Sequence, residues 1–332
     1  MMNKRTILVH SGTNPYRNLA LENYLMDVVE EHECILYLWQ NRRTVVIGRN
    51  QNAWKECRTK SLSEDGGFLA RRLSGGGAVF HDLGNLNFTF IARRPYYEAD
   101  RQLAVILEAV RMCGIRAEKS GRNDLEAEGR KFSGNAFYQT ADVGCHHGTL
   151  LIRVDQQLLG RYLNVSPQKL KAKSVDSVRS RVVNLTDLNP QITVAGMKEK
   201  LELAFAKVYE GPVRPMNPSR IRMEKLEALE KKFASWEWNY GQRLPFQHEA
   251  AKRFSWGEVQ LHLHINEGRV CHARIYSDAL DTEYIPKLAE GLEGALYELE
   301  SLKAAAQKVP AMDSVQETMR QDITGMLPEL FA

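Results

Sequence analysis

Arg71-Arg-Leu-Ser-Gly-Gly-Gly-Ala-Val-Phe-His-Asp82 is the stretch whose reading decides the fold. Three consecutive glycines follow two arginines and precede an apolar triplet, so the backbone can approach an anion closely, with cations beside it and an apolar wall behind. Glycine does the same in any tight turn. Leu86, Phe88 and Phe90 alternate with Asn87 and Thr89, which predicts a strand directly afterwards, so the stretch also reads as a hairpin between two strands. It contains neither Gly-x-x-x-x-Gly-Lys-Ser/Thr nor Gly-x-Gly-x-x-Gly, and a nucleotide held here is therefore held in another way.

Composition sets the frame. The chain has 332 residues, 43% of them hydrophobic and 26% charged, enough for one large domain and a smaller one. Its net charge of +4 is mild and does not by itself call for nucleic acid. No apolar run approaches the ~18 residues of a membrane span, and Met-Met-Asn-Lys-Arg-Thr lacks the core of a signal peptide, so a cytoplasmic location is expected. Five scattered cysteines (Cys34, Cys57, Cys113, Cys145, Cys271) suggest reduced thiols, not a disulfide framework or a zinc site.

Outward from the glycines, the elements are mixed. Asn14-Pro15 is a helix start, and Leu21, Leu25, Val28 and Val29 follow at helical spacing. Residues 35–39 and 44–47 read as a hairpin closed by 40–43, and Leu103, Leu107 and Val110 mark a helix that Gly114 ends. A strand from Ile115, a polar turn at 121–124, a cationic glycine-punctuated segment at 129–136 and an apolar strand after His146 come next. Hairpins without regular strand–helix alternation predict an α+β, mixed-sheet fold. Three prolines between Gly211 and Ser219 mark a connection, and a helix through Leu226 and Phe233 follows. From about residue 245 the pattern restarts with Val259, Leu261, Leu263 and Ile265, then a turn, a return strand and two helical stretches. The expected domains are 1–244 and 245–332. His262, His264 and His272 read as an exposed sheet face, since no further ligand type stands at suggestive spacing. Residues 166–181 carry Lys169, Lys171, Lys173, Arg179 and Arg181 against one acid, Asp176. Such a run suits a solvated face, or a loop that closes on an anion.

Five stretches in order resemble the motifs of lipoate-protein ligases: Arg71 to Asp82, Gly121-Arg-Asn-Asp-Leu125, Gly129-Arg-Lys-Phe-Ser-Gly134, His146-His-Gly-Thr-Leu150 and Ser177-Val-Arg-Ser-Arg181. The likeness extends into Trp236-Glu-Trp-Asn239 and the C-terminal part. It implies a mixed-sheet catalytic domain related to biotin-protein ligase and a small α+β accessory domain. It also implies two half reactions with ATP and Mg2+: lipoate becomes lipoyl-AMP with release of pyrophosphate, and the lipoyl group passes to a lysine of an acceptor protein. Octanoate is a possible second acid. The implied acceptors are apo lipoyl domains of 2-oxoacid dehydrogenase E2 subunits and the glycine cleavage H protein, served by a monomer with no nucleic-acid or membrane partner.

By resemblance, Arg72, Gly77, Ala78, Val79 and Phe80 contact the nucleotide, and the catalytic Lys131 meets both the acyl carbonyl and the adenylate phosphate. His81 joins Lys131 on the lipoate side, the basic run with Lys169, Lys171, Lys173, Arg179 and Arg181 folds over the adenylate, and Asp124 is the candidate for magnesium. Val79 and Phe80 are expected to line the acyl tunnel. Two other readings compete. Cys145, in Gly144-Cys-His-His147, suits an ATP-independent octanoyl or lipoyl transferase that passes through a thioester. The basic run suits nucleic acid, but no reader motif accompanies it and no aromatic residues are interleaved.

Overall fold

The computed structural model describes residues 4–10, 12–121, 123–164, 182–241 and 246–331. They divide into two compact units. The first holds residues up to Val46, Cys57–Arg71 and Val79–Asn239; the second holds Ile47–Glu56, Arg72–Ala78 and the chain from Tyr240 on. Two excursions that belong to the first half of the sequence thus group with the C-terminal part. The basic run, with Lys169, Lys171, Lys173, Arg179 and Arg181, lies outside the described residues.

The strands of the first unit, with β3 running one residue into the second, are β1 (Lys4–Val9), β2 (Glu33–Trp39), β3 (Thr44–Ile47), β4 (Phe68–Arg71), β5 (Val79–His81), β6 (Asn85–Arg93), β7 (Ala117–Ser120), β8 (Asp124–Ala127), β9 (Arg130–Gln139), β10 (Val143–Leu151) and β11 (Val213–Pro215). Eight form one mixed sheet in the order β11-β1-β2-β6-β10-β9-β8-β7, with β1 parallel to both neighbours and the β2-β6-β10-β9-β8-β7 run antiparallel. The other three form a small sheet, β4-β3-β5. The expected α+β class with a mixed sheet is what the chain adopts.

Two of the expected hairpins are not formed, while the one expected from Val259 through the return strand at 269–277 is. β2 and β3 belong to different sheets, so residues 40–43 change layer instead of closing a hairpin. Across the glycine run, β4 and β5 flank β3 and do not pair with each other, and β5 and β6 are also in separate sheets. Local alternation identifies a strand but does not name its partner.

Each face of the large sheet has its own cover. On one, Leu36, Leu38, Leu86, Phe88, Phe90 and Leu150 pack with Leu103, Ile106 and Val110 of the Ala99–Arg111 helix and Leu201 and Phe205 of the Val194–Val208 helix. Against the other lies the Pro15–Val28 helix, started as its sequence predicts: Asn14 Oδ1 accepts from the Tyr16 and Arg17 N–H groups, and Pro15 stands at the first turn. Glu33 at the head of β2 is fully buried and paired with Arg220. Burial pushes its carboxyl up, but hydrogen bonds from Arg220, the Glu30 N–H and Thr6 outweigh that and hold it at about 2.

The second unit has a three-stranded antiparallel sheet, β12 (His248–Phe254), β13 (Gly257–Asn266) and β14 (Arg269–Ser277). Val259, Leu261 and Leu263 face helices at Tyr284–Leu292, Leu299–Gln307 and Ser314–Met326, three where the sequence suggested two. His264 stands across from His272, and His262 touches Phe246 and Tyr276. Among the described residues no helix is long and apolar enough to cross a membrane.

A buried polar cluster centred on His146 sits inside the helix-covered core. His146 is fully buried, its Nδ1 3.1 Å from Gln102 Oε1 and its Nε2 2.9 Å from Asn135 Oδ1. Burial, and secondly the neighbouring His147, depress its pKa from 6.5 to about 3. Below pH 6.5 the unfolded chain takes up a proton that the folded chain refuses, so the stabilisation is complete above 6.5 and is lost as pH falls toward 3, by up to ~1.4 kcal/mol per pH unit. The His146→Gln variant should therefore lose less stability than the parent between pH 7 and about 4.5 in denaturant melts. Parallel pH profiles would contradict this.

Candidate active site

Strand register brings together residues far apart in sequence. In β6, Asn87 is opposite Trp39 of β2 on one side and Thr149 of β10 on the other. The Gly134 N–H of β9 points to Thr149 Oγ1 at 3.4 Å, and Gly134 is opposite Asp124 of β8. Trp39, Asn87, Thr149, Gly134 and Asp124 thus form one row across five strands, on the face away from the helix-packed core.

Lys131 is placed on this row by two local devices. Between Lys131 and Ser133, β9 has one residue more than the facing Leu125–Glu126 segment of β8, and the resulting bulge turns Lys131 to the face of Gly134. Its Nζ then lies over Gly134, where a Cβ would stand only 2.9 Å from it, and pairs with Asp124 Oδ1 at 2.6 Å. Asp124 is itself oriented from the preceding residue: Asn123 and Asn135 exchange side-chain and backbone hydrogen bonds of 2.7 to 3.0 Å. The Lys131 carbonyl accepts from the Val183 N–H at 2.9 Å, so the chain returns beside Lys131 directly after the basic run.

The neighbouring row carries a buried polar chain. Trp39 Nε1 donates to Thr89 Oγ1 (3.1 Å), Thr89 donates to Glu22 Oε2 (2.7 Å), and His147 Nδ1 donates to the same carboxylate (2.9 and 3.0 Å). Glu22 comes from the Pro15–Val28 helix, which explains why a buried acid interrupts its apolar face. His81 is buried near the same end: Asn41 donates to its Nδ1 at 3.2 Å, and its ring meets Trp39 edge-on at 6.4 Å. Phe80, the adjacent residue of β5, points the other way and packs on Tyr162 at 5.4 Å, as strand alternation requires. Asp82 accepts from the Gly84 and Asp155 N–H groups and acts as a turn residue.

Among the described residues, Glu22, Cys145 and His147 are the one group of candidate metal donors that lies close together. A thiol and an imidazole are soft donors, unsuited to magnesium. The Cys145 thiol is buried, and burial followed by the charge of Glu22 pushes its pKa well above the usual thiol value. That is the reverse of what activates a nucleophilic cysteine.

The glycine run is shaped chiefly by packing inside the second unit. A Cβ on Gly75 would lie 2.2 Å from the Ala279 carbonyl oxygen, and one on Gly48 would lie 2.2 Å from that of Gly76. Gly76 has φ +90° and donates to the Ala279 carbonyl at 3.2 Å. Arg72, 7% exposed, curls over the loop: its Nε meets Ser74 Oγ at 3.0 Å, and its Nη2 reaches the carbonyls of Gly75 at 2.6 Å and Gly77 at 2.8 Å. Gly77 alone of the three has ordinary φ and open space around its Cα.

Of the residues singled out from sequence, the first unit joins Lys131 to Asp124 and places His81 beside Trp39. Arg72, Gly77 and Ala78 belong to the second unit, and Val79 and Phe80 to the first. Glu22, Trp39, Asn87 and Thr149 were missed. Each reads locally as an ordinary helix or strand residue.

The model of the lipoyl protein ligase A/B catalytic domain matches residues 14–206, and that of the bacterial lipoate protein ligase C-terminus matches residues 244–327. The lipoate-protein ligase A of Psychrobacter cryohalolentis is 40% identical over 309 residues, 91% of each chain. The chain belongs to the lipoate-protein ligase family. Among solved structures similar to this ligase, P. falciparum LipL1 in complex with lipoate superposes with a TM-score of 0.83 at 30% identity, covering 96% of this chain and 99% of that one. A bipartite lipoate protein ligase from Thermoplasma acidophilum, studied with its E2 lipoyl domain, has a TM-score of 0.65 at 26% identity, covering 74% and 99%.

The two kinds of glycine separate in a stability test. Gly75→Ala should lower the unfolding free energy by ~2 kcal/mol or more, because the obstructing atoms are backbone, whereas Gly77→Ala should change it by less than ~0.5 kcal/mol. Equal melting shifts for the two variants would show that packing does not set the glycine at 75.

Proposed function

We propose that this ligase activates lipoate with ATP and transfers the lipoyl group to a lysine of apo lipoyl domains. The acceptors would be those of 2-oxoacid dehydrogenase E2 subunits and the glycine cleavage H protein. The observation that carries the reading is the ammonium of Lys131 held over Gly134, at one end of a sheet row that runs to Trp39. Relatives support the substrate classes: LipL1 was solved with lipoate, and the T. acidophilum ligase was studied with an E2 lipoyl domain.

In this reading the acyl chain lies along the row, its carboxylate at Lys131 and its dithiolane toward Trp39 and His81. A carboxylate oxygen attacks the α-phosphorus of ATP and pyrophosphate leaves. Charge grows on the phosphoryl oxygens as two anions meet, and Lys131 neutralises it from a fixed position. Arg72, Gly77, Ala78, Val79 and Phe80 are the proposed nucleotide contacts, with Arg72 also holding the loop carbonyls together. Asp124, a hard oxygen donor about one-third exposed, fits magnesium, which takes few protein carboxylates beside phosphate oxygens. When bound, that ion would supply charge neutralisation at the pyrophosphate. The basic run, which rejoins the described chain beside Lys131, would exclude water from the mixed anhydride.

Transfer is limited by the amine. A lysine with a pKa near ~10.4 is about 0.04% neutral at pH 7, a penalty of roughly 4.6 kcal/mol. Lys131, cationic and next to the acyl carbon, would lower the incoming amine's pKa by like-charge repulsion. The neutral nitrogen attacks the acyl carbon, AMP leaves and the surplus proton goes to solvent. Lys131→Ala should therefore lose both lipoyl-AMP formation and transfer from supplied lipoyl-AMP, each by at least ~100-fold. Normal transfer from the supplied adenylate would reject the second role. Cys145→Ser should keep ATP-dependent lipoylation within about threefold, as expected of a thiol outside the chemistry; loss of transfer would favour the thioester route.

A further inference from the structure

We infer that Asn87 sets the preference of this site for a sulfur-bearing acid over a plain fatty acid. The inference rests on the acyl row proposed above. Asn87 is 2% exposed, and its Nδ2 has no hydrogen-bond partner among the described residues. Its Oδ1 accepts from Asn85 Nδ2 at 2.9 Å, and the residue itself stands in the row between Trp39 and Thr149. The nearby polar groups Trp39 Nε1, Thr89 Oγ1 and Glu22 satisfy one another. Asn87 is thus the donor that the row leaves over.

A buried N–H without an acceptor is costly, and native proteins keep few of them unless something else completes the bond. Position identifies what completes this one. Gly134, under the Lys131 ammonium, is two strands from Asn87, about 10 Å at the usual strand spacing. That is close to the reach of an extended lipoyl chain from its carboxyl carbon to its dithiolane. With the carboxylate at Lys131, the dithiolane sulfurs arrive at Asn87, and sulfur is a weak acceptor. The hydrocarbon end of octanoate arrives at the same place with no acceptor and leaves the N–H unmade. A pocket that hydrogen-bonds its ligand rejects an analogue lacking the partner atom, and a weak acceptor gives a correspondingly modest ratio.

The test measures kcat/KM for ATP-dependent modification of an apo lipoyl domain with lipoate and with octanoate, in the parent, Asn87→Leu and Asn87→Thr, with thermal melts to confirm folding. The parent should favour lipoate by at least tenfold. Asn87→Leu should cut that ratio about tenfold, mainly by improving octanoate, while Asn87→Thr, which keeps a hydroxyl donor, should hold it within about threefold. An unchanged ratio in a folded Asn87→Leu, or a parent that favours octanoate, would overturn the role of Asn87 and leave the ligase reading intact. A parent that uses neither acid would overturn both.

Discussion

The Lys131 ammonium can lie on the sheet because residue 134 has no side chain. From that contact the local design follows: the bulge in β9 turns the lysine to this face, Asp124 pairs with it, and the Asn123–Asn135 exchange fixes the turn that delivers Asp124. A Cβ at 134 would displace the charge on which both proposed half reactions depend.

The large sheet divides its labour by face. Leucine and phenylalanine on one side pack against the two long helices and bury a continuous apolar core. On the other face Trp39, Thr89 and His147 are joined to one another through Glu22, and Asn87 accepts from Asn85 of its own strand while its N–H end is left over. On the core side His146 is buried with Gln102 and Asn135, and its depressed pKa reflects removal from water. His147, one residue on, faces Glu22 on the opposite side. Strand alternation alone gives adjacent histidines different surroundings.

Much of the architecture was legible in the sequence because it is encoded locally. The helix from Pro15 announces itself by its cap, the strand at Asn85–Arg93 by its alternation, and the α+β class by the absence of regular alternation of strands and helices. Pairing partners were not legible. Residues 35–39 and 44–47 look like a hairpin, yet register pairs the first with β1 and β6 and the second with β4 and β5. The site shows the same limit. Lys131 was found through motif resemblance, while Asn87 and Thr149 read as the polar side of ordinary strands until register placed them together. The glycine run reads as an anion cradle. Gly75 and Gly48 turn out to be required by backbone contact within the second unit, and only Gly77 keeps the open backbone that reading needs.

The most direct test of the account is ATP–pyrophosphate exchange with lipoate and biotin as alternative acids. Exchange should depend on lipoate, be absent with biotin alone and disappear in Gly134→Val, whose side chain would occupy the place of the Lys131 ammonium. No lipoate-dependent exchange in the parent, or undiminished exchange in a folded Gly134→Val, would contradict it.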